Sequence, residues 1–139
     1  MNRNLIFLPV LLQVIITLYA YVLLGGAKSH ATKAGLVNDA RRALHDDAWP
    51  DQVIQINNNI RNQFELPVLF YVLVIVLWAI DAAGALSLVV AWLFALSRVA
   101  HLYVHTGSNY VPLRRRIFTF GVIMIIVLAG IAAVGLLSG

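Results

Sequence analysis

Four long apolar runs, separated by short charged stretches, constrain this chain more than any other feature. Hydrocarbon offers no water to satisfy backbone N–H and C=O groups, so only internally bonded helices or closed barrels can cross a bilayer. A spanning helix needs about 20 predominantly apolar residues. Leu5–Leu24 fits, with Gln13 and Thr17 as its plainly polar interruptions besides two tyrosines. A secretory signal would have an apolar core of about 7–15 residues and a small-residue cleavage site. Ala20 and Gly25-Gly26-Ala27 supply small residues, but the length favours a retained span. Composition excludes a soluble single-core domain: 61% of residues are hydrophobic and 12% charged, against about 45–50% and about 25% in soluble domains.

The second run, Leu66–Ile80, is too short alone, but Val53, Ile56, Ile60 and Phe64 continue its helical spacing upstream, and Asp51 is the expected N-cap. One helix over Gln52–Ile80 would be about 43 Å long at about 1.5 Å per residue. It would protrude from about 30 Å of hydrocarbon. The third run starts near Ala82, after a tight connection at Asp81, and ends near His105. The fourth becomes apolar at Ile117 and runs to Leu137, with Pro112 suited to a first helical turn. The expected fold is all-α: an integral membrane four-helix bundle forming one domain over residues 1–139, with spans at about 5–24, 54–80, 82–105 and 115–137. The first connection, about residues 25–51, places Leu36, Val37, Ala40 and Leu44 at helical spacing, which predicts a short interfacial helix with Trp49 as an anchor.

The net charge is +4. Apart from Arg3, the Lys and Arg residues gather at the ends joined by the first and third connections. This bias predicts a multi-pass protein with both connections cytoplasmic and both termini opposite. It reads as topology and anchoring to membrane lipids, not as a nucleic-acid surface. The absence of cysteine excludes disulfides, thiolate metal sites and a protein thiol nucleophile.

Three polar groups could carry chemistry. Asn58, Arg61, Asn62 and Glu65 fall at i, i+3, i+4 and i+7, one face of a helix. A solvated face with an Arg61–Glu65 ion pair would explain them, except that Glu65 abuts the apolar run, where an unpaired carboxylate is costly. Arg98, His101 and His105 share a face of the third helix. Two histidines four apart can share a metal, but no third ligand lies nearby in sequence, so no metal is expected. Arg114, Arg115 and Arg116 open the fourth helix, where the macrodipole prefers anions. Phosphate anchoring explains such runs, yet side chains about 100° apart cannot all do one job, and at least one can face the bundle. No Walker loop, dinucleotide fingerprint, HExxH or nucleophile elbow is present.

Arg61-Asn62-x-x-Glu65, followed by Arg98-x-x-His101, Gly107, Pro112 and Arg114, resembles the MAPEG family, the membrane-associated proteins in eicosanoid and glutathione metabolism. The similarity spans nearly the whole chain, which resembles a bacterial-type member of the microsomal glutathione transferase sort. It implies a homotrimer of four-helix subunits in a bacterial inner membrane, with glutathione as cosubstrate between subunits on the cytoplasmic side. It assigns Arg61, Asn62 and Glu65 to a glutathione-binding stripe, joined by His101 and, from the same faces, Asn58, Arg98 and His105. Arg114 matches the arginine near the glutathione sulfur and is the expected catalytic residue.

Departures narrow the activity. Asn58 stands where many animal members have a further arginine, and His105 where they have a tyrosine. Arg115 and Phe118 stand where prostaglandin E synthase has a serine and a tyrosine. These changes count against prostaglandin isomerisation and leukotriene synthesis. The expected function is a transferase or peroxidase acting on lipophilic small molecules, which needs a bound thiolate and an apolar second site. The alternative is a non-catalytic membrane protein of this fold that binds a lipid or small anion, or scaffolds a partner. A transporter is disfavoured, because no acidic residue sits mid-span.

Overall fold

The computed structural model describes residues 2–138, all helix, turn or loop; Met1 and Gly139 lie outside the described residues. A 3₁₀ turn, Arg3–Ile6, leads into α1, Phe7–Lys33. Asn2 caps the turn by accepting from the Asn4 N–H at 3.0 Å. Helix α1 does not stop at Leu24 but continues through Gly25 and Gly26. Two glycines cost a helix about 1 kcal/mol each relative to alanine, and packing beyond them offsets this: Ala27 and Ala31 join a core with Val53, Ile56 and Ile60. A Schellman motif ends α1, with Gly35 at φ 66° and the Leu36 N–H donating to the Ala31 carbonyl at 3.0 Å.

The true first connection is therefore residues 34–50, and the expected interfacial helix is absent. Its place is taken by turns and a 3₁₀ segment, Asp46–Ala48. Leu36 and Leu44 are exposed, so their helical spacing finds no surface to pack on. Helix nucleation is costly in so short a segment. Instead the Asn38 N–H donates to the Ala48 carbonyl at 3.0 Å, and Arg41 pairs with Asp47 and Arg42 with Asp39.

The second span is not one continuous helix. Helix α2 covers Asp51–Gln63 and α3 covers Leu66–Ala79. Pro67 is the cause: it lacks an N–H, and its ring would crowd the carbonyl four residues back, which belongs to Gln63, the last residue of α2. Glu65 occupies the break with φ −101° and ψ −98°. Asp51 is the first helical residue, and Pro50 takes the N-cap position without a side-chain cap. Helix α4, Ala85–Thr106, begins three residues after the expected start, because Asp81 adopts φ 60° and residues 82–84 complete the turn. Helix α5, Val111–Ser138, begins before its arginines and holds Pro112 in its first turn.

Four helical stretches have the length and apolarity to cross a membrane: Arg3–Lys33, Asp51–Ala79, Ala85–Thr106 and Val111–Ser138. Arg3 pairs with Asp81 at 3.0 Å, and Trp78 Nε1 donates to Asn4 Oδ1 at 2.9 Å. A Cβ on Gly135 would stand 3.0 Å from Ala82 and Ile80. The start of α1, the end of α5 and the α3–α4 turn thus share one end. The long connection and residues 107–110 share the other. At the first end Phe70, Val74, Leu77, Phe94, Ile125 and Leu128 form an apolar core, with Phe70 stacked on Phe94 at 4.5 Å. Leucine, isoleucine and valine side chains such as Leu18, Val22, Val72, Ile75 and Ile126 point outward, as a hydrocarbon environment requires.

Candidate functional site

Polar burial is concentrated toward the connection end. Packing Val53, Ile56 and Ile60 of α2 onto α1 turns the neighbouring Asn59 and Gln63 inward as well, and both are buried. Gln13 of α1 is also fully buried and donates through Nε2 to Gln63 Oε1 at 2.7 Å. Gln63 Nε2 donates to Asn59 Oδ1 at 3.1 Å. Asn59 Nδ2 and Asn62 Nδ2 lie 3.3 and 3.4 Å from His105 Nδ1. Amides in a low-dielectric bundle need such partners, since each unmet group costs several kcal/mol, on the order of a lost hydrogen bond in hydrocarbon.

The face of α4 that carries Phe94 and Leu102 into the core also carries Arg98, His101 and His105, exposed by only 1%, 2% and 2%. The two imidazoles meet edge to face at 5.3 Å, and His101 lies 6.1 Å from the Phe118 ring. The Arg98 guanidinium sits over Phe94 and Phe118, at 5.9 and 5.6 Å. Its Nε and Nη2 are buried with no hydrogen-bond partner. No ion pair joins Arg98 to Glu65 among the described residues.

On α5, Arg114 Nη1 donates to Asn109 Oδ1 at 2.6 Å. Asn109 holds φ 50° in the turn before the helix, and its N–H donates to the Val104 carbonyl at 2.8 Å. This turn anchors Arg114 over a cleft of about 250 Å³ lined by Asn62, His101, Val111, Arg114, Arg115 and Phe118. Arg115 therefore shares the cleft with Arg114. Arg116 departs, lining an apolar groove between α4 and α5 with Leu93, Leu96, Ala100 and Phe120.

Of the residues singled out by spacing, Asn62, His101 and Arg114 meet at this cleft, and His105 adjoins it through Asn62 and His101. Arg98 lies behind its Phe118 wall. The stripe on the second span is divided. Arg61 pairs with Asp46 of the long connection and reaches Asn58 Oδ1 at 3.4 Å, in place of the Arg61–Glu65 pair that a continuous helix would allow. Asn58 lines a separate recess with Gln55 and Asn109. Glu65 is exposed in the break. Spacing alone did not single out Gln13, Asn59, Gln63 or Asn109. Glutamine inside an apolar run was the available signal for the first. Among the described residues, no three His, Asp or Glu side chains converge as metal ligands do.

Lys28, placed by the sequence in the connection, belongs to α1 and covers the half-buried Trp49 at 4.8 Å. This contact ties the connection to the bundle. It leaves the cleft with cations from α5.

No curated protein and no solved structure matches the chain. The model of one family does, described as the MAPEG family, over residues 6–134. That match takes in all five helices, apart from the last residues of α5, and every residue of the cleft. Four helices of spanning character in such a chain make it an integral membrane protein. The chain belongs to the MAPEG family.

Proposed function

We propose that this protein is a glutathione-dependent membrane transferase or peroxidase acting on lipophilic electrophiles, assembled as a homotrimer with its site on the cytoplasmic side of a bacterial inner membrane. The observation that supports it most is the cleft itself, where Arg114 and Arg115 stand beside His101 and Asn62, with the unpartnered Arg98 guanidinium behind. Glutathione carries two carboxylates and one ammonium, so guanidinium forks and amides that donate to the carboxylates, with one carboxylate that accepts from the ammonium, are the matching binding set. Asn58, Arg61, Asn62, Glu65, Arg98, His101 and His105 supply those groups. Because Arg61 and Glu65 are exposed in the single chain, a neighbouring subunit is the natural second wall.

Arg114 is the proposed catalytic residue. A cysteine-type thiol has a pKa of about 8.5 and is mostly protonated at neutral pH. A guanidinium about 4 Å from the sulfur contributes roughly 4 kcal/mol at an effective dielectric near 20. A third of that lowers the thiol pKa by about one unit. In conjugation the thiolate sulfur forms a bond to the electrophilic carbon, and the leaving group departs with its bonding pair. In peroxide reduction two thiols become one disulfide while the O–O bond is cleaved to alcohol and water. The apolar substrate reaches the cleft from the bilayer, along grooves such as the one beside Phe120.

The test is a titration of the purified protein with reduced glutathione, followed by turnover of a model electrophile. Thiolate absorbance against pH should show a midpoint below the free-thiol value, and Arg114→Ala should move it upward by about one unit while weakening binding much less. A midpoint indifferent to Arg114, or one moved only by Arg115→Ala, assigns the role elsewhere. Binding without turnover of any electrophile or hydroperoxide would favour the non-catalytic alternative. Native mass spectrometry should give trimers, and a C-terminal phosphatase fusion should be active in the periplasm. Monomers or dimers alone, or an inactive phosphatase beside a fluorescent cytoplasmic fusion, would refute those two parts.

A further inference from the structure

The buried amides that no spacing rule singled out form a chain with a direction. Gln13 Nε2 donates to Gln63 Oε1, so the free end of the Gln63 amide is its Nε2, which donates to Asn59 Oδ1. The Asn59 amide in turn presents its Nδ2 to His105 Nδ1, where Asn62 Nδ2 also arrives. Because Asn59 Oδ1 is taken by Gln63, its Nδ2 faces the imidazole as a donor; Nδ1 must then accept and be unprotonated, and a neutral ring carries its proton on Nε2.

We propose that Gln13, Gln63 and Asn59 are positioning residues that fix His105 as its Nε2–H tautomer, making it a neutral hydrogen-bond donor beside the cleft and not a proton acceptor. The opposite polarity is disfavoured by the start of the chain. Gln13 Oε1 is buried with no partner, and turning all three amides over would put an NH₂ group with no acceptor in its place. Hydrogen bonds in series polarise one another in a low dielectric, so the orientation set at Gln13 is transmitted to the ring. All members are nearly or fully buried except Asn62, which is half-buried and free to follow the others.

The consequence for catalysis rests on the glutathione reading: His105 would stabilise a thiolate or carboxylate by donation and could not take the thiol proton, because Nδ1 is engaged and Nε2 already protonated. The tautomer itself does not depend on that reading. It is read by ¹⁵N NMR of the full chain, labelled at its four histidines, in micelles without ligand, with His105→Gln identifying the resonance. The expected spectrum has His105 Nδ1 in the unprotonated range and Nε2 in the protonated range. Asn59→Asp replaces the donor by an acceptor and should reverse the two. Gln63→Met removes the donor that orients Asn59 and should give a mixture of both tautomers. A wild-type ring protonated at Nδ1 overturns the proposal, as does an unchanged spectrum in Asn59→Asp. If that variant does not fold, a Gln63→Met spectrum identical to wild type overturns it equally. A protein with the expected tautomer that binds no glutathione keeps the amide chain and removes the proposed function.

Discussion

The two halves of the bundle are built on opposite principles. Toward the termini, every large buried side chain is apolar: Phe70, Val74, Leu77, Phe94 and Leu128 fill the space between α3, α4 and α5. Toward the connections, α1, α2 and α4 bury Gln13, Asn59, Gln63, Arg98, His101 and His105 among Ile16, Val53, Ile56, Ile60 and Leu102. The first half can be satisfied by shape alone. The second works only if each polar atom finds a specific partner, and Gln13 Oε1 and two nitrogens of Arg98 do not. Buried polar groups held at such cost inside a membrane bundle mark functional positions more often than structural ones. The contrast locates the proposed site independently of any motif.

Deleting packing from the apolar half should have the largest effect. Phe94→Ala removes a fully buried ring stacked on Phe70 and should cost about 3–5 kcal/mol, measured as a shift of the unfolding midpoint in mixed detergent. A loss below about 1 kcal/mol would mean that the core collapses to fill the gap.

Arg98→Met makes the polar half resemble the apolar one, and the two readouts should separate. Removing a buried, unpartnered cation should raise the stability of the ligand-free protein by about 1–4 kcal/mol, while glutathione titration shows weakened binding. Destabilisation would reveal an acceptor for Arg98 and erase the contrast between the halves.

Asn59→Ala leaves Gln63 Nε2 without its acceptor and His105 Nδ1 with Asn62 as its one remaining amide partner. It should cost about 1–3 kcal/mol. A neutral result would show that water enters this half freely. The smallest effect is expected at the terminal end, where Arg3 and Asp81 meet with side chains 47% and 77% exposed. Arg3→Ala should cost less than about 1 kcal/mol, and added salt should shrink the difference further. A larger loss would mean that the end cap, and not the aromatic core, holds this half together.

The sequence by itself determined that there are four spans, though not their ends, because partition into a bilayer depends on the length of an apolar run and helical bonding is local to each run. It also determined that Arg98, His101 and His105 share a face, since 3.6 residues per turn permits no other outcome. The break at Glu65 had a signal in Pro67, but the hydrophobic spacing passes through it unchanged and pointed to one continuous helix. Tertiary structure decided the rest. Whether α1 stops at its glycines depended on Ala31 finding α2, and whether residues 36–44 became a helix depended on a surface that is not there. The meeting of Gln13, Gln63, Asn59 and His105 depends on the relative rotation and axial register of three helices. The placement of Arg115 beside Arg114 depends on where α5 begins, set by the left-handed Asn109 turn. Both are properties of how the helices pack against one another, which no spacing within a single helix encodes.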